Sequence, residues 1–240
     1  MPRRSRFILP GHPQHVIVRG VNREPIFYQE ADCHCYLEHL QSAINKHSCA
    51  LHAYVLMTNH VHMLMTPEKG NGIAKVIQSV GRCYVQYFNH SYRRTGTLWE
   101  GRYKSTLVDT DDYLLTCYRY IELNPVRANM IDHPSKYQWS SYRHNAVGQH
   151  NELITPHDIY LGLGTDNYHR QQAYRCLYDI EISSLKLDEI RAASNKEWVL
   201  GSESFKRAIE KKLQRRTSPL PRGGDRKSEK FKEKATFNRH

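Results

Sequence analysis

Between His15 and Pro125 the apolar residues switch repeatedly between the period of a strand, two, and that of a helix, about 3.6. The order of those switches constrains the fold more than any other feature. His15-Val-Ile-Val-Arg-Gly20 alternates β-branched with polar residues and reads as a strand. Over 31–46, Tyr36, Leu37, Leu40 and Ile44 recur at helical spacing. The apolar stretches 51–57 and 61–65 are separated by Thr58-Asn59, which predicts a strand, a tight turn and a second strand. A second helix is predicted over 73–93, where Ile77, Val80, Tyr84, Tyr87 and Phe88 form a core-facing stripe. Residues 102–108 read as a fourth strand, and Asp111-Asp112 are expected to cap a helix that carries Tyr113, Tyr118 and Tyr120 until Pro125 ends it.

The order β-α-β-β-α-β-α predicts an α+β chain: a ferredoxin-like, RRM-like sandwich whose antiparallel sheet is covered on one face, with an added tyrosine-bearing helix. Helical patterns over 168–180 and 186–215, the second broken at Gly201, predict a small C-terminal helical region. The expected organisation is a first domain over 1–148, a helical region over 149–217 that is a candidate DNA-binding unit, and a disordered tail over 218–240, too polar to bury anything.

The net charge of +11 is unevenly placed: residues 206–240 hold thirteen Lys/Arg against four Asp/Glu, or +9, which leaves +2 for the rest. Such a segment attracts a polyanion by releasing counterions, or is simply a solvated tail. No run reaches the roughly 18 apolar residues that span a bilayer, and Phe7-Ile-Leu-Pro10 is too short for a signal-peptide core, so a soluble, cytoplasmic protein without a membrane partner is expected. The six cysteines, at 33, 35, 49, 83, 117 and 176, form no C-x-x-C and are expected to be reduced and structural.

His60-Val-His62 is the most informative triplet. On a strand its two imidazoles share a face and can share a metal, with Val61 and Leu64 on the apolar side and the histidines looking outward. Sixty residues on, Tyr120 and Asn124 are one helical turn apart. Asn124 is placed to add an oxygen ligand beside the Tyr120 phenol; the plainer reading is that Tyr120 packs in a helix interface and Asn124 caps a helix end. A mixed nitrogen and oxygen set suits Mg2+ or Mn2+, and two histidines alone also suit zinc. A tyrosine with a pKa of about 10 needs about 4 kcal/mol to ionise at pH 7, so nearby cations must offset much of that cost. A divalent ion would do so, with Arg102 or Lys104 holding flanking phosphates. These residues suit attack by Tyr120 on a phosphodiester, giving a 5′-phosphotyrosine link and a free 3′-hydroxyl.

Six stretches in order carry a family resemblance: Pro10-Gly-His-Pro-Gln-His15-Val, Arg19-Gly-Val-Asn-Arg23, Tyr54-Val-Leu-Met-Thr-Asn-His60-Val-His62, Leu98-Trp-Glu-Gly-Arg102-Tyr, Tyr120-Ile-Glu-Leu-Asn-Pro-Val-Arg127-Ala and Trp139-Ser-Ser-Tyr142. With them the chain resembles the HUH single-tyrosine transposases, in the branch of the REP-associated tyrosine transposases. The resemblance implies that His60 and His62 hold the metal, that Tyr120 is the nucleophile and that Asn124 stands where the helix-borne polar ligand does. In insertion-sequence transposases that position is more often glutamine, whose reach is longer. The resemblance also implies a single-stranded DNA substrate folded into hairpins, with Arg19, Arg23, Arg102, Lys104 and Arg127 as candidate DNA contacts. A monomer with Tyr120 acting in cis and a homodimer exchanging its helix use the same residues. Two other readings are an inactive hairpin-binding regulator of the same fold and an RNA-binding sheet of the RRM type; the aromatic and basic pattern of the latter is not apparent.

Overall fold

The computed structural model describes residues 5–219, so the expected tail lies, from residue 220 onward, outside the described residues. Four strands, β1 (Gln14–Arg19), β2 (Cys49–Met57), β3 (His60–Pro67) and β4 (Lys104–Leu107), form one antiparallel sheet in the order β2-β3-β1-β4. Helix α1 (Glu30–Lys46) leads into the β2–β3 hairpin, and α2 (Gly72–Ser91) joins that hairpin to β4. This is the split βαβ arrangement that the alternating periods predict.

The β1–β3 register has six residue pairs and the β2–β3 register eight, with a bulge between Leu51 and Ala53 that leaves His52 out of register. Val16, Val18, Leu51, Tyr54, Leu56, Val61, Met63 and Met65 face α1 and α2 and are buried with Tyr36, Leu40, Val80, Tyr84 and Phe88. The stripe on α2 is core, as its spacing predicts.

The opposite face is covered too, contrary to the one-sided sandwich expected. Helix α3 (Thr110–Glu122) crosses it, burying Leu114, Cys117, Tyr118 and Ile121 against Ala53, Val55 and Leu64. Leu64 therefore shares the histidines' face instead of lying with Val61, because the strand period puts 60, 62 and 64 on one side. Burying such a side chain contributes about 1.5–3 kcal/mol. The cap of α3 is Asp109, whose carboxylate accepts from Asp111 N at 3.3 Å, and not the Asp111-Asp112 pair. The helix also ends earlier than expected: Glu122 is its last residue, and Asn124 opens a separate turn, α4 (Asn124–Arg127), with Pro125 in its first positions.

The rest of the chain wraps this second face. It comprises α5 (Tyr142–Val147), α6 (Asp158–Leu161), α7 (Asn167–Cys176), α8 (Ser184–Lys196) and α9 (Glu203–Leu213). Tyr142, Tyr160, Tyr174, Ile190 and Leu200 share one apolar cluster with Tyr118, Tyr120 and Val55, so residues on both sides of position 148 contribute to a common core. Leu200 extends the sheet edge by a parallel bridge to Val108, and Ile209 of α9 packs on Phe7, Leu9 and Leu107. Among the described residues, no helix is long and apolar enough to cross a membrane.

Candidate active site

Because β3 begins at His60, the two histidines project together onto the α3 face. The register sets His60 opposite Arg19, and His62 opposite Ile17, which in turn faces Lys104 on β4. The rings of His60 and His62 lie 4.9 Å apart. Neither histidine looks freely outward, as had been expected: His60 is half-buried and His62 is 5% exposed.

Hydrogen bonds orient both rings. Asn59 donates from Nδ2 to the Arg23 carbonyl at 2.8 Å, which turns its Oδ1 toward His60 Nδ1, 2.7 Å away. An amide oxygen only accepts, so His60 carries its proton on Nδ1 and presents the Nε2 lone pair. His62 Nδ1 lies 2.8 Å from His15 Nε2, and His15 Nδ1 lies 3.1 Å from Ser194 Oγ on α8. A chain in which His62 donates to His15, and His15 to Ser194, leaves Nε2 of His62 with its lone pair as well. Burial holds the imidazoles neutral: it lowers His60 to about 4, with Arg19 adding to the effect, and His15 to about 3. His62 is pushed well below its ordinary value by burial, then by His15 and His60. Two neutral imidazoles, each tied at Nδ1 and with Nε2 making no hydrogen bond among the described residues, form a donor set that fits a divalent ion.

Tyr120 reaches this cluster from α3 of the same chain. Its ring packs edge-on at 5.7 Å from His15 and 6.1 Å from His62, and the residue is 7% exposed. The Arg127 guanidinium sits 4.3 Å over the Tyr120 ring and donates from Nη2 to the Tyr120 carbonyl at 2.5 Å. Its Nη1 is buried without a hydrogen bond among the described residues. Asn124, although it begins a new turn, returns its Nδ2 to the carbonyls of Tyr120 at 3.1 Å and Ile121 at 3.2 Å. Two carbonyl acceptors fix which end of that amide is nitrogen, so Oδ1 is the atom left for any ligand.

Beside the histidines an open groove of about 730 Å3 is lined by Arg19, Arg102, Lys104 and Lys196, with Glu100, Glu197, Ile17 and Trp198. Arg19 and Lys104 rise from the sheet, whereas Arg102 lies in the bend before β4 and not on the strand as expected. Lys104 Nζ donates to Asn195 at 3.1 Å, and Arg19 pairs with Glu100 at 3.8 Å. The fold thus brings His60, His62 and Tyr120 together and sets three of the five expected DNA contacts in one groove. Arg127 lies against Tyr120 instead, and Arg23 stands exposed beyond β1, outside the groove, its carbonyl held by Asn59.

Sequence reasoning did not single out His15 or Glu122. The first had a usable signal, since His15, Ile17 and Arg19 alternate on the face that β3 adjoins. The second had none: a lone glutamate on a helix is usually solvated.

Residues 11–124 match the family described as IS200-like transposases. No curated protein matches the chain. Among solved structures, that of a REP-associated tyrosine transposase bound to a REP hairpin is similar with a TM-score of 0.51 at 16% identity, over 65% of this chain and 93% of that one. A candidate transposase from Deinococcus radiodurans R1 is 17% identical over 50% of this chain and 96% of its own, with a TM-score of 0.35.

Proposed function

We propose, from the match of residues 11–124 to the IS200-like transposase family, that this chain cleaves and rejoins single-stranded hairpin DNA with Tyr120 as the nucleophile. The observation that carries the reading is the meeting of Tyr120 with His62 and His15 in one buried cluster, beside a groove with four cations. The REP-associated branch, whose solved member holds a REP hairpin, supplies the substrate class. His60 and His62 through Nε2, and Asn124 through Oδ1, are the residues that would hold Mg2+ or Mn2+; when bound, the ion would polarise the scissile phosphate.

The chain's own residues do the rest. Arg19, Arg102, Lys104 and Lys196 hold phosphates flanking the cut, so the strand is oriented before reaction. Arg127 packs on the Tyr120 ring, and its orphaned Nη1 is available to a phosphate oxygen. The Tyr120 hydroxyl gives up its proton to solvent as its oxygen attacks phosphorus, the bond to the 3′-oxygen breaks, and that oxygen takes up a proton from solvent. A 5′-phosphotyrosine and a 3′-hydroxyl result. The link keeps the energy of the bond it replaced, so the same or another 3′-hydroxyl can reverse the step. The packing of Tyr120 beside its own chain's histidines supports a reaction in cis.

The test is adduct formation with labelled hairpin oligonucleotides in Mg2+ or Mn2+. The wild type is expected to form a covalent complex that survives denaturation, while Tyr120→Phe binds the hairpin and forms none. An adduct in that variant would remove the nucleophile assignment, and a wild type that binds but never reacts would favour the inactive regulator.

A further inference from the structure

Glu122 is a carboxylate with no exposed surface, and the reaction outlined above makes no use of it. Its Oε1 accepts from Ser141 Oγ at 2.6 Å and Asn145 Nδ2 at 2.8 Å, and its Oε2 accepts from the hydroxyls of Tyr174, at 2.8 Å, and Tyr178. These donors come from α5, the residue before it, α7 and the turn that follows α7, all beyond residue 124. Asn145 and Ser141 are themselves tied to β2, through the His52 carbonyl at 3.4 Å and Tyr54 N at 3.0 Å. The carboxylate therefore joins α3 to the sheet and to the C-terminal helices at one point.

A buried charge with four donors is a poor way to gain stability, since apolar residues of similar volume often serve as well. It is a good way to fix one geometry. Two residues along a helix turn about 200° around its axis, so Glu122 and Tyr120 project from nearly opposite sides of α3. Clamping one side sets the rotation of the helix, and with it where the Tyr120 oxygen stands. Reacting groups misplaced by about 1 Å can lose about 100-fold in rate.

We propose that Glu122 is the positioning residue of this site: it locks the rotation of α3, and hence Tyr120, through side chains that residues 141–178 supply. The proposal rests on the reading of Tyr120 as nucleophile. It gives the segment after residue 124 a part in the chemistry, beyond any contact with DNA.

Asp32 provides a matched control, because it too has no exposed surface. It accepts from Tyr87 OH at 2.9 Å, Tyr92 OH at 2.7 Å and the backbone of Tyr28 at 2.7 Å and Gln29 at 3.1 Å, but at the start of α1, on the other face of the sheet. Full-length Glu122→Gln, Tyr174→Phe, Tyr178→Phe and Asp32→Asn would be compared in single-turnover adduct formation on a saturating hairpin oligonucleotide in Mn2+, well below each variant's Tm. Hairpin Kd would be measured alongside. Glu122→Gln is expected to lose about 10- to 100-fold in rate with Kd unchanged, and each Tyr→Phe variant, which keeps the ring, a smaller part of that. Asp32→Asn, though destabilised, should react within about twofold of wild type, as a role confined to stability predicts. A Glu122→Gln rate within that same range, or an Asp32→Asn loss as large as that of Glu122→Gln, would overturn the proposal. So would Tyr→Phe variants at wild-type rate beside a slow Glu122→Gln, since the donors would then not matter. If wild type forms no Tyr120 adduct, the functional reading itself fails and takes the proposal with it; an adduct in wild type with an unaffected Glu122→Gln removes the proposal alone.

Discussion

His15 Nε2 lies 2.8 Å from His62 Nδ1, so one imidazole on β1 orients another on β3 across the strand pair. Ser194 on α8 holds the far side of His15 at 3.1 Å. A ring so held presents its other nitrogen in a fixed direction. Removing such an outer partner typically weakens metal binding by about 10- to 100-fold. His15→Ala is accordingly expected to raise the Kd for Mn2+, measured by calorimetry, by that factor without abolishing hairpin binding. An unchanged Kd would mean that His62 needs no such support.

Arg127 should matter through both its charge and its shape. It stacks on the Tyr120 ring and bonds the Tyr120 carbonyl at once, which a lysine ammonium does not reproduce. Losing a charge-assisted hydrogen bond costs about 1.5–3 kcal/mol, or about 10- to 150-fold. Arg127→Lys should therefore slow adduct formation by about that much, and a wild-type rate would show that any positive charge suffices.

Salt should expose the groove. Each phosphate neutralised contributes about −0.7 to the slope of log K against log salt for a single strand and about −0.9 for duplex. Lys196→Ala, at an exposed lysine on the groove wall, is expected to make that slope shallower by roughly one such unit in hairpin titrations. A parallel shift with the slope intact would mean that Lys196 touches no phosphate.

Acid should destabilise the fold through its buried histidines. His52 is tied at both nitrogens, to the Thr155 carbonyl at 2.7 Å and Thr66 Oγ1 at 2.8 Å, and burial lowers its pKa from 6.5 to about 4. Below pH 6.5 the unfolded chain takes up a proton that the folded chain refuses. The stability is thus present in full above about pH 6.5 and declines as pH falls toward 4, by about 1.4 kcal/mol per pH unit for each such group. His15, lowered to about 3, acts in the same direction. Metal-free urea unfolding should give a midpoint that falls steadily between pH 6.5 and 4.5, and a midpoint constant through that range would contradict neutral burial.

Much of the fold was legible because it rests on local periods. The alternation around His15 and His60, the 3.6-residue stripes of α1 and α2, and the Thr58-Asn59 turn specify elements and chain order, and the split βαβ sheet follows from them. The pair spacing of His60 and His62 likewise follows from strand geometry alone. Leu64 shows the limit, since its face follows from the strand period but was assigned to the wrong side. The end of α3 at Glu122 shows another, since the break precedes Pro125 by more than one residue.

What the amino-acid sequence determined by itself was therefore a set of elements, and the presence on them of two histidines in phase and a tyrosine further on. Which face α3 covers, and so whether Tyr120 meets those histidines at all, was decided by tertiary packing. The residues that make the site specific lie far apart along the chain: His15 is 47 residues from His62, and Glu122 is 52 and 56 residues from the tyrosines that bind it. Local propensity carries no information about such pairs. They are selected when a sheet face and a helix must bury apolar area together, and every polar atom caught in that burial must then find a partner.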